Sequence, residues 1–188
     1  MSAEQHVSIT DNGSDSAAAI GTSIQIEKLT VLAGQRTLLQ DATCTFPASE
    51  VILLLGCSGV GKSVLLKILA GLVDPDHEGI QYNGKISFVD SNGTQRGVAD
   101  GTHQVSVVFQ NFALLDELSP VQNVQIALDH AAARSANSIS QAKELLSDLR
   151  VPVDRATSVL SGGQQQRLAI ARAIAPNADV VLYDEPTS

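Results

Sequence analysis

The chain has 188 residues, of which 44% are hydrophobic and 17% charged, with a formal net charge of -8. This balance suits one globular domain with a sizeable core and argues against sequence-independent coating of nucleic acid, which needs clustered Lys and Arg. The longest strongly apolar run, VILLL at 51–55, falls far short of the ~20 residues of a membrane-spanning helix. Residues 1–22 are polar, small and mildly acidic; they lack the regions of a signal peptide and read as a disordered tail. In SIQIEKLTVLAG the early alternation puts Ile24 and Ile26 on one face and predicts a half-buried strand. EVILLLG is apolar on both faces and predicts a buried parallel strand. Glycines follow, and KSVLLKILAGL predicts a helix ending at Gly71.

GIQYNGKISF carries Asn83-Gly84 between two alternating runs, which predicts an antiparallel hairpin with a two-residue turn. Residues 91–102 form a polar connection, and QVSVVF, ending at Phe109, is another buried-strand candidate. From 112 to 158 the pattern is helical. Ser119 before Pro120 predicts an N-cap with proline at the first helical position. Ser138 and Gln141 have capping-box spacing before AKELLSDLR, and Pro152 closes that helix. GGQQQRLAIARAIA reads as a helix stopped at Pro176, and DVVLYDE as one more apolar strand. Strands alternating with helices predict an α/β fold with a parallel sheet, a β-hairpin region and a helical insert. The two cysteines, Cys44 and Cys57, and the four histidines, His6, His77, His103 and His130, show no metal-ligand spacing. Reduced thiols are the default for such a pair.

The stretch GCSGVGKS, 56–63, fits G-x-x-x-x-G-K-[ST] between a predicted strand and a predicted helix, the context this motif requires. Gly56, Gly59 and Gly61 let the backbone curl so that several N–H groups face inward as an anion nest. Cys57, Ser58 and Val60 supply further loop backbone, and Val64 continues into the helix, whose positive end faces the same point. Lys62 adds a full charge at the β/γ-phosphates, and the Ser63 hydroxyl can ligate Mg²⁺. The loop alone does not separate kinases, GTPases and ATPases.

A second small, polar stretch, LSGGQQQR at 160–167, also opens a helix. Ser161 with the backbone N–H groups of Gly162, Gly163 and Gln164 makes another anion site. This stretch resembles the signature motif of ABC transporter ATPase subunits. VVFQN around Gln110 resembles their Q-loop, and VVLYDEP at 180–186 their Walker B strand. With the phosphate loop, four motifs stand in family order over residues 23–188. The resemblance implies a P-loop ABC ATPase fold: a core with a parallel sheet, an antiparallel β subdomain and a helical signature subdomain at 112–160. It implies ATP and Mg²⁺ as ligands, with Asp184 and Gln110 beside the metal and Glu185 as general base towards the attacking water. It also implies a head-to-tail dimer in which Ser161, Gly162 and Gly163 touch the partner's ATP. A separate transmembrane permease would meet the stretch NFALLDELSP, 111–120. The location implied is the cytoplasmic face of the membrane.

Three departures from the family pattern stand out. The aromatic that stacks on adenine is replaced by Ala33, which predicts weaker and less base-selective binding, since such stacking is worth ~1–3 kcal/mol. Cys57 lies inside the phosphate loop, where its backbone matters more than its thiol. Finally, family members continue past Walker B into a D-loop and a strand leading to a switch histidine. The resemblance therefore implies a truncated domain missing its C-terminal strands, with 51–55 and 180–183 flanking a gap, and little turnover. Competing readings are a soluble ABC-family ATPase of DNA repair or translation and a non-catalytic remnant. The cargo and its direction are not legible, since selectivity belongs to the permease.

Overall fold

The computed structural model describes residues 21–73, 79–98, 105–131 and 137–184. These residues form two compact units, divided between His103 and Gln104.

The first unit is built on a four-stranded antiparallel sheet in the order β2-β1-β3-β4. Its strands are β1 (Ser23–Ala33), β2 (Arg36–Phe46), β3 (Ile80–Val89) and β4 (Gln95–Gly97). The expected alternation holds at the start of β1: Ile24 and Ile26 are both buried, and Ile24 lies across from Phe46 on β2 and Phe88 on β3. The helix α1 (Lys62–Leu69) buries Leu65, Leu66, Ile68 and Leu69. It closes as the sequence predicts: Gly71 takes a φ of 68°, its N–H reaches Ile68 O, and the Leu72 N–H reaches Lys67 O, the paired bonds of a Schellman cap.

Two expectations in this unit fail, each for its own reason. Asn83-Gly84 is not a hairpin turn; β3 runs straight through it. Between Glu27↔Lys85 and Thr30↔Asn83, two residues of β1, Lys28 and Leu29, oppose the single Gly84. This is a β-bulge, and a Cβ on Gly84 would stand 2.6 Å from Lys28 O and 2.7 Å from Leu29 Cα. The glycine is required by the close approach of a neighbouring strand, not by a reversal of its own chain. The other failure is VILLL. Residues 51–55 belong to neither sheet, and Val51 is 98% exposed. Apolar composition favours burial of a strand, but a buried strand needs flanking ladders, and within 51–55 Leu55 alone carries an isolated bridge.

The second unit pairs β5 (Val105–Val108) with β6 (Val180–Tyr183) in parallel, in register from Val105↔Val180 to Val108↔Tyr183. Three helices accompany them: α2 (Pro120–Ala131), α3 (Ser138–Asp148) and α4 (Gly162–Ile174). Their core joins Val124 of α2, Ala142 and Leu146 of α3, and Leu168 and Ala171 of α4, with Val151 and Leu160. The α2 start follows the sequence expectation. Ser119 Oγ accepts from the Gln122 N–H while Gln122 Oε1 accepts from the Ser119 N–H. The α3 start is displaced by one residue. Ser138 is already helical and buried, the cap position is Asn137, and no side-chain capping bond forms. A buried first-turn serine serves packing, so its capping-box spacing with Gln141 goes unused. The same helix ends before Pro152 through Arg150, which takes the left-handed φ of 54° usually given to glycine. Val151 N–H then bonds Leu146 O at 2.8 Å, and both side chains are buried in one cluster.

Candidate nucleotide-binding site

The phosphate-loop residues lie together between Leu55 and α1. Gly56, Cys57, Ser58 and Gly59 are exposed, while Val60 is buried and anchors the loop. Gly59 and Gly61 take φ of 76° and 106°, and Gly61 is the N-cap of α1. The Gly61 conformation turns the chain into the helix, leaving the first N–H groups of α1 without intrahelical partners. Lys62 Nζ donates to Gly56 O at 2.8 Å and Cys57 O at 3.0 Å, so the ammonium sits over the mouth of the loop. Ser63 and Val64 follow in the first turn, both half-buried. The Cys57 thiol is exposed. Ala33 is the last residue of β1, paired with Arg36 and Ile80.

The second predicted anion site is equally local. Ser161 is the N-cap of α4 and forms a capping box with Gln164, whose Oε1 accepts the Ser161 N–H at 2.9 Å. The Ser161 hydroxyl accepts from the Gln164 N–H and still keeps its own proton to donate. Ser161, Gly162 and Gly163 are exposed, and nothing stands within 4 Å of where a Cβ on Gly162 would lie. Arg167 folds back so that its Nη1 lies 3.6 Å from the corresponding point on Gly163, and its buried Nε has no hydrogen-bond partner. A cation there opposes the helix dipole and is better tolerated with an anion at the helix end.

At the carboxyl end of the parallel pair, β5 leads to Gln110 and β6 to Asp184. The Asp184 N–H bonds Val108 O at 3.0 Å, continuing the ladder one step past β6. Parallel register therefore brings the Gln110 turn and Asp184 to the same sheet end, the usual place for ligand chemistry in α/β folds. Gln110 is exposed and Asp184 half-buried. Glu185 lies outside the described residues.

Two residues shape this end without having been singled out from the sequence. Asn123 of α2 is fully buried; its Oδ1 accepts the Leu115 N–H and its Nδ2 reaches Leu115 O, Leu118 O, Ser119 O and Thr157 Oγ1. Arg172 of α4 donates to Phe112 O and Ala113 O, and its burial lowers the guanidinium pKa from its usual value. Neither stands in a local motif, so only their partners, 4 to 60 residues away, reveal them.

Residues 39–188 match the family model described as ABC transporter. The chain belongs to the ABC transporter family. It is 31% identical over 173 residues to a methionine import ATP-binding protein, MetN, of Lactobacillus johnsonii, covering 90% of this chain and 50% of that protein. It is 34% identical over 165 residues to a sulfate/thiosulfate import ATP-binding protein, CysA, of Synechococcus elongatus, covering 87% of this chain and 46% of that protein. A lipoprotein-releasing system ATP-binding protein, LolD 2, of Chlorobium chlorochromatii is 36% identical over 170 residues, which is 87% of this chain and 70% of that protein. The chain thus spans about half the length of the first two relatives.

This ABC-family chain contains no helix long and apolar enough to cross a membrane among its described residues. Nor do those residues contain a group of three His, Cys, Asp or Glu able to hold a metal. The Gln110 amide and the Asp184 carboxylate carry oxygen donors, as the Ser63 hydroxyl does in the other unit, and oxygen is the donor type Mg²⁺ takes. A shallow polar depression of about 640 Å³ lies over the β-bulge beside Glu27, Lys28 and Lys85. It includes none of the motif residues, and its lining mixes the carboxylates of Glu27 and Asp41 with Lys28 and Lys85.

Proposed function

We propose that this protein is the ATP-binding and ATP-hydrolysing subunit of an ABC transporter, driving a separate transmembrane permease from the cytoplasmic face. The observation that supports the reading is two exposed helix starts of a kind that can receive an anion: the Gly56–Ser63 loop with Lys62, and the Ser161-capped start of α4. One nucleotide needs only one phosphate loop. A second, open helix end in the same chain fits a head-to-tail dimer in which each ATP is held by one copy's loop and the other copy's Ser161, Gly162 and Gly163. Residues 23–188 then form the ATPase domain, with 112–160 as its helical subdomain.

In this reading the backbone of residues 56–64 cradles the phosphates and Lys62 neutralises their charge. Ser63 and Asp184 would hold Mg²⁺, which would supply charge neutralisation of the phosphates. Glu185 takes the proton of the attacking water, and Gln110 orients that water and reports its presence to the segment that follows. A carboxylate acts here mainly by being held in position. The relatives are named for different cargoes, methionine, sulfate or thiosulfate, and lipoprotein, at 31–36% identity, which fits selectivity residing in the permease.

Calorimetric ATP binding tests the proposal. Lys62→Ala removes a charge-assisted contact worth about 1.5–3 kcal/mol, so affinity should fall at least tenfold. Glu185→Gln should bind ATP and dimerise but lose turnover. Full hydrolysis by Glu185→Gln would refute the general-base role, and cross-links placing residue 161 far from the second copy's residue 62 would refute the dimer.

A further inference from the structure

The turn after Gln110 is strained, and one side chain holds it. Phe112 and Ala113, neither of them glycine, take consecutive left-handed φ values of 60° and 45°. The Ala113 N–H bonds Asn111 O at 2.7 Å, closing a γ-turn with Phe112 at its centre. A γ-turn with positive φ at its centre is the rarer and more strained form. Such conformations persist only where the surroundings over-determine them. Here the surroundings are α4. Arg172 Nη2 donates to Phe112 O at 2.9 Å and Nη1 to Ala113 O at 2.6 Å, so one planar fork takes both carbonyls of the strained pair. The Phe112 side chain packs on the cluster of Val108, Ala169 and Ala173, which adds a second attachment to the same helix.

Helix α4 runs unbroken from Gly162 to Ile174. Its capped start and Arg172 are therefore about 15 Å apart on one rigid rod, at 1.5 Å per residue. We propose that Arg172 is a positioning residue that holds the γ-turn after Gln110 in its strained form and makes that turn move with the helix that begins at Ser161. Its effect on turnover rests on the transport-ATPase reading; the clamp itself does not. Lysine cannot replace it, because an ammonium is a point charge and not a two-pronged donor.

The test compares Arg172→Lys and Arg172→Gln with the unaltered full protein, by hydrogen exchange over residues 110–116 and 164–171. In both variants exchange over 110–116 should rise at least tenfold while 164–171 stays within twofold. Adding Ala113→Gly to Arg172→Lys should restore at least half of the lost protection, because glycine adopts this φ without strain. In turnover assays with the permease, kcat should fall at least tenfold with KM for ATP within twofold. Unchanged exchange over 110–116, equal loss of protection along α4, a rise in KM at constant kcat, or no rescue by Ala113→Gly would each overturn the proposal. Failure of the unaltered protein to bind ATP would instead remove the transport-ATPase reading, leaving the exchange data to decide on the clamp.

Discussion

Replacing Gly61 by alanine tests the phosphate loop most directly. Gly61 holds φ 106° and ψ 11° at the N-cap of α1, a conformation L-residues rarely adopt. A Cβ there would also stand 3.2 Å from Leu38 Cβ and 3.3 Å from Leu38 Cδ1, so the neighbour must give way by a few tenths of an ångström. The backbone strain is about 1–3 kcal/mol. Displacing Leu38 from its rotamer adds about 0.5–1.5 kcal/mol. The sum, about 1.5–4.5 kcal/mol, can appear in either of two measurements. If the loop keeps its shape, the melting temperature falls by roughly 2–4 °C per kcal/mol for a chain of this size. If the loop relaxes, its N–H groups no longer converge, and ATP affinity falls about tenfold per 1.4 kcal/mol. Calorimetry and a thermal melt on the same sample capture both. Gly162→Ala is the control: it lies within α4 with nothing inside 4 Å, so the melt should be unchanged or slightly raised. The reasoning is refuted if Gly61→Ala alters neither quantity, or if Gly162→Ala lowers the melt as much.

Asn123→Leu should destabilise the second unit by about 2–3 kcal/mol, because the Leu115 N–H and C=O both lose their Asn123 bonds. The cost is held down by the partial exposure of Leu115 and by Thr157 Oγ1, which still donates to Leu118 O. A melting temperature within 1 °C of the unaltered protein would contradict this. Asp90 gives a pH prediction. Its carboxylate accepts from the N–H groups of Thr94 and Asn92, both at 2.9 Å, and the Thr94 bond is the main cause of its lowered pKa. A group whose folded pKa is depressed stabilises the fold above its ordinary value, about 3.9, and loses that contribution as the pH falls through the lower folded value. The Thr94 and Asn92 amide resonances should therefore hold steady down to the ordinary aspartate range and shift only below it. In Asp90→Asn that acid transition should vanish; its persistence would assign the titration to another group.

Most of the candidate site was legible because its chemistry is local. The Gly56–Lys62 loop, the Ser161 start of α4 and the Ser119–Pro120 start of α2 each close hydrogen bonds within about six residues, and the Ser119 cap forms as the sequence predicts, whereas the Gln164 N–H expected to face an anion is taken by the Ser161 hydroxyl. Reading weakened where one residue type serves two purposes. Asn-Gly suits a hairpin turn, but Gly84 instead lets two residues of β1 pass close by. Ser138 has the chemistry of a cap, yet packing buries it one position inside the helix.

By itself, then, the chain's order of residues determined the family, the helices in their order with two starts built on Gly61 and Ser161, and the strands β1, β5 and β6. Those features depend on dihedral preferences and hydrogen bonds among near neighbours. The tertiary structure alone decided which segments meet. It set the bulge opposite Gly84, left 51–55 outside both sheets, and brought Arg172 to carbonyls about 60 residues earlier. Such meetings are driven by burial of apolar surface, which is non-directional and favours contact without naming the partner.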